Sequence, residues 1–359
     1  MSEATATAPQ GTERNGGPNL LEVHQLSKSF TVRGRGGVKG GVLQAVSDVS
    51  FDLRKGETLG VVGETGSGKS TLVRSVLQAP PPDSGSVLFQ GVELVGTPRR
   101  KLAPLRRQAQ MIFQDPYNSV DPKWRVNQIV EEPLVAAGIG GRATRRAKVR
   151  DLLELVGLDP AQHGVRRARE LSGGQCQRVA IARALALNPA MIIADEAVSS
   201  LDVLVQAQIL NLFEQLRREL GLSYLFVAHD LALVKQVSDR VAVMYLGRFC
   251  EVGPAESIYR EPMHHYTRAL LAAIPRPDPE GEGPQTGDTI SGEPPSPIDP
   301  PSGCRFRTRC PRAEERCAME VPQLRAAGPD PAHLVACHFP VLPSPVGTDA
   351  GQDVVGGQA

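Results

Sequence analysis

No uncharged apolar run of about 18 residues, the length that a membrane-spanning helix needs, occurs anywhere in this 359-residue sequence. A transmembrane anchor is therefore not expected. The opening stretch, MSEATATAPQGTERNGGPN, lacks the apolar h-region of a secretory signal. The chain is expected to stay in the cytoplasm, where thiols remain reduced. Net charge is missing as well: 40 Lys and Arg face 39 Asp and Glu, so no global field argues for nucleic acid or an acidic partner. The balance fails only locally, between Arg99 and Arg150, where 12 basic residues meet 4 acidic ones. Such an excess suits a solvated helical surface, with an anionic membrane face or a nucleic acid as the alternative. Internal repeats are absent, and GKS occurs once.

What is present describes a globular α/β chain. It is 41% hydrophobic and 22% charged, and its length suits one large domain or two ordinary ones. Residues 1–19 are polar and expected to be disordered. From about Leu20 to Ile274, buried-strand patterns alternate with helical ones. TLGVV (58–62), AQMIFQ (109–114), AMIIAD (190–195) and SYLFVAH (223–229) each read as a strand with polar residues at its C-terminal end, where open α/β sheets collect ligands. Between Asp115 and Glu170 the strand signals stop. Val149, Leu152, Leu153 and Val156 there mark one face of a helix that Gly157 can close, and residues 115–170 are expected to form an inserted helical subdomain. Residues 275–301 are too rich in Pro, Gly and acid to pack, hence a linker. A cysteine-bearing segment spans 302–340, and 341–359 form a frayed tail.

The chemistry begins at GETGSGKST, where Gly63, Gly68, Lys69 and Ser70 match G-x-x-x-x-G-K-S/T without a mismatch. The stretch Gly63, Glu64, Thr65, Gly66, Ser67, Gly68, Lys69, Ser70 and Thr71 reads as a phosphate cradle. Its glycines let backbone N–H groups turn inward, Lys69 reaches the β- and γ-phosphates, and the Ser70 hydroxyl ligates Mg²⁺. The helix that follows turns its positive end toward the anion. MIIADEAVSSLD ends an apolar strand on Asp195 and Glu196; Asp195 suits the second anchor of the metal, and Glu196 is left to polarise an attacking water. No NKxD-type guanine reader exists, which argues against GTP. There remains LSGGQCQRV (171–179), a second glycine-rich, serine-bearing stretch about a hundred residues beyond the first. By itself it reads as a helix cap.

In order, the sequence shows GETGSGKS, MIFQDP, LSGGQ, MIIADE, SSLD and FVAHD. Over about residues 20–274 this set resembles the nucleotide-binding domain of an ABC transporter. From Phe30 onward, MIFQDPYNSVDP, ADEAVSSLDVLVQAQILNLF and SDRVAVMYLGRFCEVGP are similar to the ATPases of oligopeptide and dipeptide importers. The resemblance implies an α/β P-loop NTPase fold, with a RecA-like core, an antiparallel β-subdomain and an inserted helical subdomain. It implies ATP and Mg²⁺ as cofactors and ATP hydrolysis coupled to transport. It also gives LSGGQ a purpose. Two such domains would pair head to tail, and Ser172, Gly173, Gly174 and Gln175 of one would close on the γ-phosphate held by the other.

Further positions carry over from the resemblance one at a time. Phe30 would stack on adenine. Gln114 would touch metal and water and relay nucleotide state to the membrane subunit. Asp202 would cross the dimer interface, and His229 would hold the γ-phosphate and Glu196 in register. Catalysis thus falls to Glu196, His229 and Gln114, and the Mg²⁺ site to Ser70, Gln114 and Asp195. The implied partners are a second ATPase subunit (identical or related), two integral membrane permease subunits and an extracytoplasmic substrate-binding protein, with no nucleic acid. The implied location is peripheral, on the cytoplasmic face of the membrane. Oligopeptides or dipeptides are the implied cargo, with nickel or glutathione import, or a non-transport ABC ATPase, as alternatives. A single cassette and the lack of sustained heptads count against translation-control and DNA-repair relatives. Cys176, Ala197, Val198 and Ser200 depart from the most usual wording, but none removes a group that the mechanism needs.

Cys304, Cys310, Cys317 and Cys337 are spaced C-x5-C-x6-C-x19-C, which fits neither the short pairs of zinc fingers nor the runs of bacterial ferredoxins. A Pro-rich, core-poor segment of about 40 residues is expected to need a cross-link. Four thiolates around iron and sulfur, four around zinc, or free thiols are the open readings, with His333 and His338 as substitute ligands. The segment is similar to the C-terminal extension of peptide-importer ATPases, some of which hold a 4Fe-4S cluster, and that resemblance favours the cluster.

Overall fold

A computed structural model describes residues 19–33, 40–274 and 292–342; most of the expected N-terminal tail, linker and C-terminal tail lies outside them. Two long strands, β1 (Asn19–Val32) and β2 (Gly41–Arg54), lead into β3 (Thr58–Val62), α1 (Lys69–Val76), β4 (Ser84–Phe89), β5 (Val92–Glu93), α2 (Arg99–Gln108) and β6 (Ala109–Ile112). Helices α3 (Val126–Ala136), α4 (Arg142–Leu155), α5 (Pro160–His163) and α6 (Gly173–Leu185) follow. Alternation then resumes with β7 (Met191–Asp195), α7 (Val203–Leu220), β8 (Ser223–Val227), α8 (Leu231–Val237) and β9 (Arg240–Tyr245). The chain goes on through β10 (Arg248–Pro254), α9 (Ala255–Arg260), α10 (His265–Ala272), α11 (Glu315–Met319), β11 (Arg325–Ala326) and β12 (Leu334–Val335).

The main sheet has the order β11-β12-β10-β9-β3-β8-β7-β6. Its five strands from β9 to β6 are parallel, and β10, β12 and β11 close one side antiparallel. Every residue of β3, β7 and β8 is buried, because a parallel strand is covered on both faces and needs an unbroken apolar run. Parallel neighbours release their C-terminal ends along one edge, so the residues just after β3, β6, β7 and β8 meet there. A second, antiparallel sheet, β2-β1-β4-β5, packs Leu21, Val23, Phe51 and Leu53 with Leu59 and Leu72 into one core. On the other side α3, α4 and α6 bury Ile129, Leu153 and Val179 in a second core. The apolar face read from sequence is buried on α4 and just beyond it, and Gly157, at φ 75°, supplies the left-handed turn that ends it.

The cysteine-bearing segment shares the main sheet. Strand β12 pairs with β10 through Glu251–Val335 and Val252–Leu334. Phe306 is buried in a ring cluster, with centroids 5.3 Å from Tyr245 and 5.4 Å from Tyr266. Glu251, fully buried, accepts from the Met263 and His264 N–H groups and lies 2.7 Å from His333 Nε2. The expectation that so small a unit needs a cross-link is corrected here, since the segment borrows the core of the larger domain. Phe306→Ala should therefore lower unfolding stability by about 3–5 kcal/mol in urea titrations of the whole chain. A loss under about 1 kcal/mol would mean that the ring cluster is not what docks the segment.

Candidate nucleotide site

The loop between β3 and α1 can only be built with glycine at two points. At Gly63 (φ 152°) an added Cβ would lie 2.1 Å from the Met244 carbonyl oxygen, and at Gly68 (φ 104°) 2.1 Å from that of Ala45. Neither contact is possible, and Gly68 also lies in a backbone region closed to most side chains. Gly68 caps α1 without any side chain on the first N–H groups, which leaves them for an anion. Thr65 and Gly66 are exposed, Glu64, Ser70 and Thr71 half-buried, and Ser67 buried. Lys69 is buried and donates from Nζ to the Gly63 and Glu64 carbonyls at 2.7 and 3.1 Å. Burial pushes its pKa down, against the opposing pull of the Glu196, Asp195 and Glu64 carboxylates.

Asp195, at the end of β7, is buried and accepts from Ser70 Oγ at 2.7 Å. Its other oxygen is 3.2 Å from Arg74 Nη2. Arg74 was not anticipated; its position four residues after Ser70, on the same helical face, was the available signal. Glu196 adopts φ 51°, a left-handed conformation that costs about 1–3 kcal/mol for such a residue, and its N–H bonds the Val227 carbonyl. The turn gives two adjacent carboxylates different surroundings. Glu196 Oε2 accepts from Gln114 Nε2 at 2.8 Å and stands 4.0 Å from His229 Nδ1. The structure thus brings together Lys69, Ser70, Gln114, Asp195, Glu196 and His229. Ser70 and Asp195 offer the hard oxygens that Mg²⁺ prefers. Phe30, near the end of β1, is exposed, with Lys28 Nζ 5.4 Å from its ring centroid; it is not a core residue.

LSGGQ stands apart from this group. Ser172 caps α6, its Oγ accepting from Gln175 N–H at 3.3 Å while its own N–H donates to Gln175 Oε1 at 3.0 Å, a reciprocal capping box. Leu201 and Val205 press on the two glycines, and a Cβ on Gly174 would lie 2.6 Å from Val205 Cγ1. Among the described residues no hydrogen bond joins residues 172–175 to residues 63–71. Asp202 caps α7 through the Val205 N–H at 3.0 Å, and beside it Val203 and Leu204 are 82% and 71% exposed, an apolar pair left facing outward. One further link escaped the sequence: Tyr117 donates from its hydroxyl to the Leu171 carbonyl at 2.9 Å, tying the loop after Gln114 to LSGGQ.

The cysteines do not form the expected centre. All six are free thiols, and no group of three or more His, Cys, Asp or Glu able to hold a metal ion occurs among the described residues. The 4Fe-4S cluster on Cys304, Cys310, Cys317 and Cys337, and the zinc alternative, are not supported. Burial drives the Cys304 thiol up to about 11 and the Cys337 thiol up to about 12. His333 faces Glu251, and His338 lies 3.0 Å from the Glu320 carbonyl.

The chain is similar to known proteins over most of its length. The ABC transporter family model matches residues 46–199, and the model of the oligopeptide/dipeptide transporter C-terminal region matches residues 250–317. A provisionally named oligopeptide transport ATP-binding protein, YkfD of Bacillus subtilis strain 168, is 48% identical over 321 residues, covering 89% of this chain and 95% of its own. The oligopeptide transport ATP-binding protein AppF of the same organism is 45% identical over 322 residues, with 89% and 97% covered. Among solved structures, the dimeric post-hydrolysis state of the ATP-binding cassette MJ0796 bound to ADP and Pi is similar at a TM-score of 0.58 and 26% identity, over 66% of this chain and 98% of that one. CbiO1 from Clostridium perfringens, part of the transporter complex cbiONQ, gives 0.59 and 28%, over 68% and 91%.

Proposed function

This chain belongs to the ABC transporter ATP-binding proteins, in the oligopeptide and dipeptide group, and from that premise we propose how its residues divide the work. It is an ATPase subunit that energises an importer, with oligopeptides or dipeptides as cargo. One observation carries the assignment of roles: the nucleotide-handling side chains converge on one sheet edge, while among the described residues the equally well-built LSGGQ turn makes no hydrogen bond to that group.

The N–H groups of residues 64–70 and the Lys69 ammonium hold the β- and γ-phosphates. Ser70 and Asp195 hold Mg²⁺, which when bound neutralises charge on the phosphate oxygens. Glu196 takes the proton of the attacking water, Gln114 fixes the carboxylate that does so, and His229 keeps it facing the γ-phosphate. Phe30 offers its exposed ring to adenine. Ser172, Gly173, Gly174 and Gln175 complete the site of a paired ATPase subunit, with Asp202 and the exposed Val203 and Leu204 at the seam. A cleft of about 310 Å³ is lined by Gln110, Phe113, Ser119, Glu132 and Arg183, Phe113 preceding Gln114 in the chain, and we assign it to a cytoplasmic segment of one of two permease subunits. An extracytoplasmic binding protein would deliver the peptide. No helix among the described residues is long and apolar enough to cross a membrane, which suits peripheral attachment at the cytoplasmic face.

The pairing has a direct test. In the assembled transporter, Ser172→Arg should leave ATP affinity at this chain's own loop within about threefold and lower ATP turnover by about 100-fold, the scale for loss of an anion-stabilising donor. Full turnover in the Ser172→Arg assembly would overturn the head-to-tail arrangement.

A further inference from the structure

The loop that carries Cys304 and Cys310 also carries two arginines that reach into the ATPase core. Arg305 donates to the Leu246 carbonyl, to Gln44 Oε1 at 2.6 Å and to Ser47 Oγ at 2.9 Å. Arg309 goes further. Its Nη1 donates to Glu64 Oε2 at 2.9 Å and lies 3.2 Å from Oε1, and its guanidinium sits 5.9 Å from the Tyr245 ring centroid. The arginine side chain is 8% exposed and the glutamate 25%, so water screens the pair in part. Glu64 is the first residue after Gly63 in the phosphate loop. Its N–H donates to the Tyr266 hydroxyl at 2.9 Å, and its carbonyl accepts from Lys69. One loop residue is therefore held at three points, two of them from outside the loop.

The carboxylate of Glu64 is an awkward neighbour for a triphosphate. It lies close enough to Lys69 to act on the same ammonium that is to meet the phosphates, and unpaired it would repel them. Arg309 is the cation beside it. We propose that Arg309 is a positioning residue for ATP: it neutralises Glu64 and fixes the first turn of the phosphate loop, so that the C-terminal segment contributes to nucleotide affinity. This rests on the loop being the nucleotide site, which Lys69→Ala tests separately.

The test is a titration of the full chain with a fluorescent ATP analogue and Mg²⁺, beside steady-state phosphate release. Arg309→Met should weaken binding by about three- to tenfold and raise KM by the same factor, with kcat changed by less than about twofold. Arg309→Lys should fall between. Glu64→Gln alone removes the negative charge from the loop while Arg309 keeps its own and should tighten binding by about threefold. Added to Arg309→Met, it should restore affinity to within about twofold of the native chain. Native affinity in Arg309→Met, or failure of Glu64→Gln to rescue it, would overturn the proposal and leave Arg309 as part of the segment's packing. Should Arg309→Met not fold, Glu64→Gln decides by itself, since unchanged or weaker binding would equally sink the idea.

Discussion

Glu196→Gln should bind MgATP within about threefold of the native affinity and release phosphate at least about 100-fold more slowly. The glutamine side chain has the same shape and can still meet Gln114, which now donates to Glu196 at 2.8 Å. It cannot take a proton from water. The left-handed backbone at Glu196 and the bond from its N–H to Val227 do not depend on the charge, so the turn should survive. Equilibrium nucleotide titration and a phosphate-release assay on the same preparation separate the two effects. Hydrolysis near the native rate would remove Glu196 from the role of base, and a proportional loss of binding would make it a ligand instead.

Lys69→Ala should have the other large effect, in the opposite half of the kinetic scheme. Charge-assisted hydrogen bonds contribute about 1.5–3 kcal/mol each, so loss of this one should weaken ATP binding by about 10- to 100-fold. The fold should tolerate the change. Lys69 donates to the Gly63 and Glu64 carbonyls, and the turns at Gly63 and Gly68 that shape the loop do not depend on its side chain. A thermal melt beside the titration checks this. Unchanged affinity in a folded Lys69→Ala chain would refute the phosphate loop itself.

The readable and unreadable parts of this molecule differ in how far apart the cooperating residues lie. The strand TLGVV, the loop that follows it and the helix after that are local: an apolar run, a glycine-rich motif and a helical stretch announce themselves within about twenty residues. The same holds for MIIAD with Asp195 and Glu196, and for the apolar face of α4. Parallel pairing then brings their ends to one edge, but the insertion of β3 between β8 and β9 is not legible from consecutive strand–helix units. Arg74 was legible but overlooked. Tyr117 was not, since nothing in PYNSV marks a hydroxyl aimed at Leu171.

The C-terminal segment shows where reading stops. Four cysteines in a core-poor stretch suggested a metal-held unit, and composition alone offered no sign of another source of burial. The source is β10 and the Tyr245–Tyr266–Phe306 cluster, formed by residues far apart in the chain. Arg309 and Glu64, separated by 245 positions, meet for the same reason. The order of motifs determined the fold class and pointed to the nucleotide and to the residues proposed to handle it, because each motif is a short-range arrangement with its own backbone demands. Tertiary packing alone decided that the last described segment completes the sheet and presses on the phosphate loop, because contacts between distant strands and side chains leave no periodic trace in either partner.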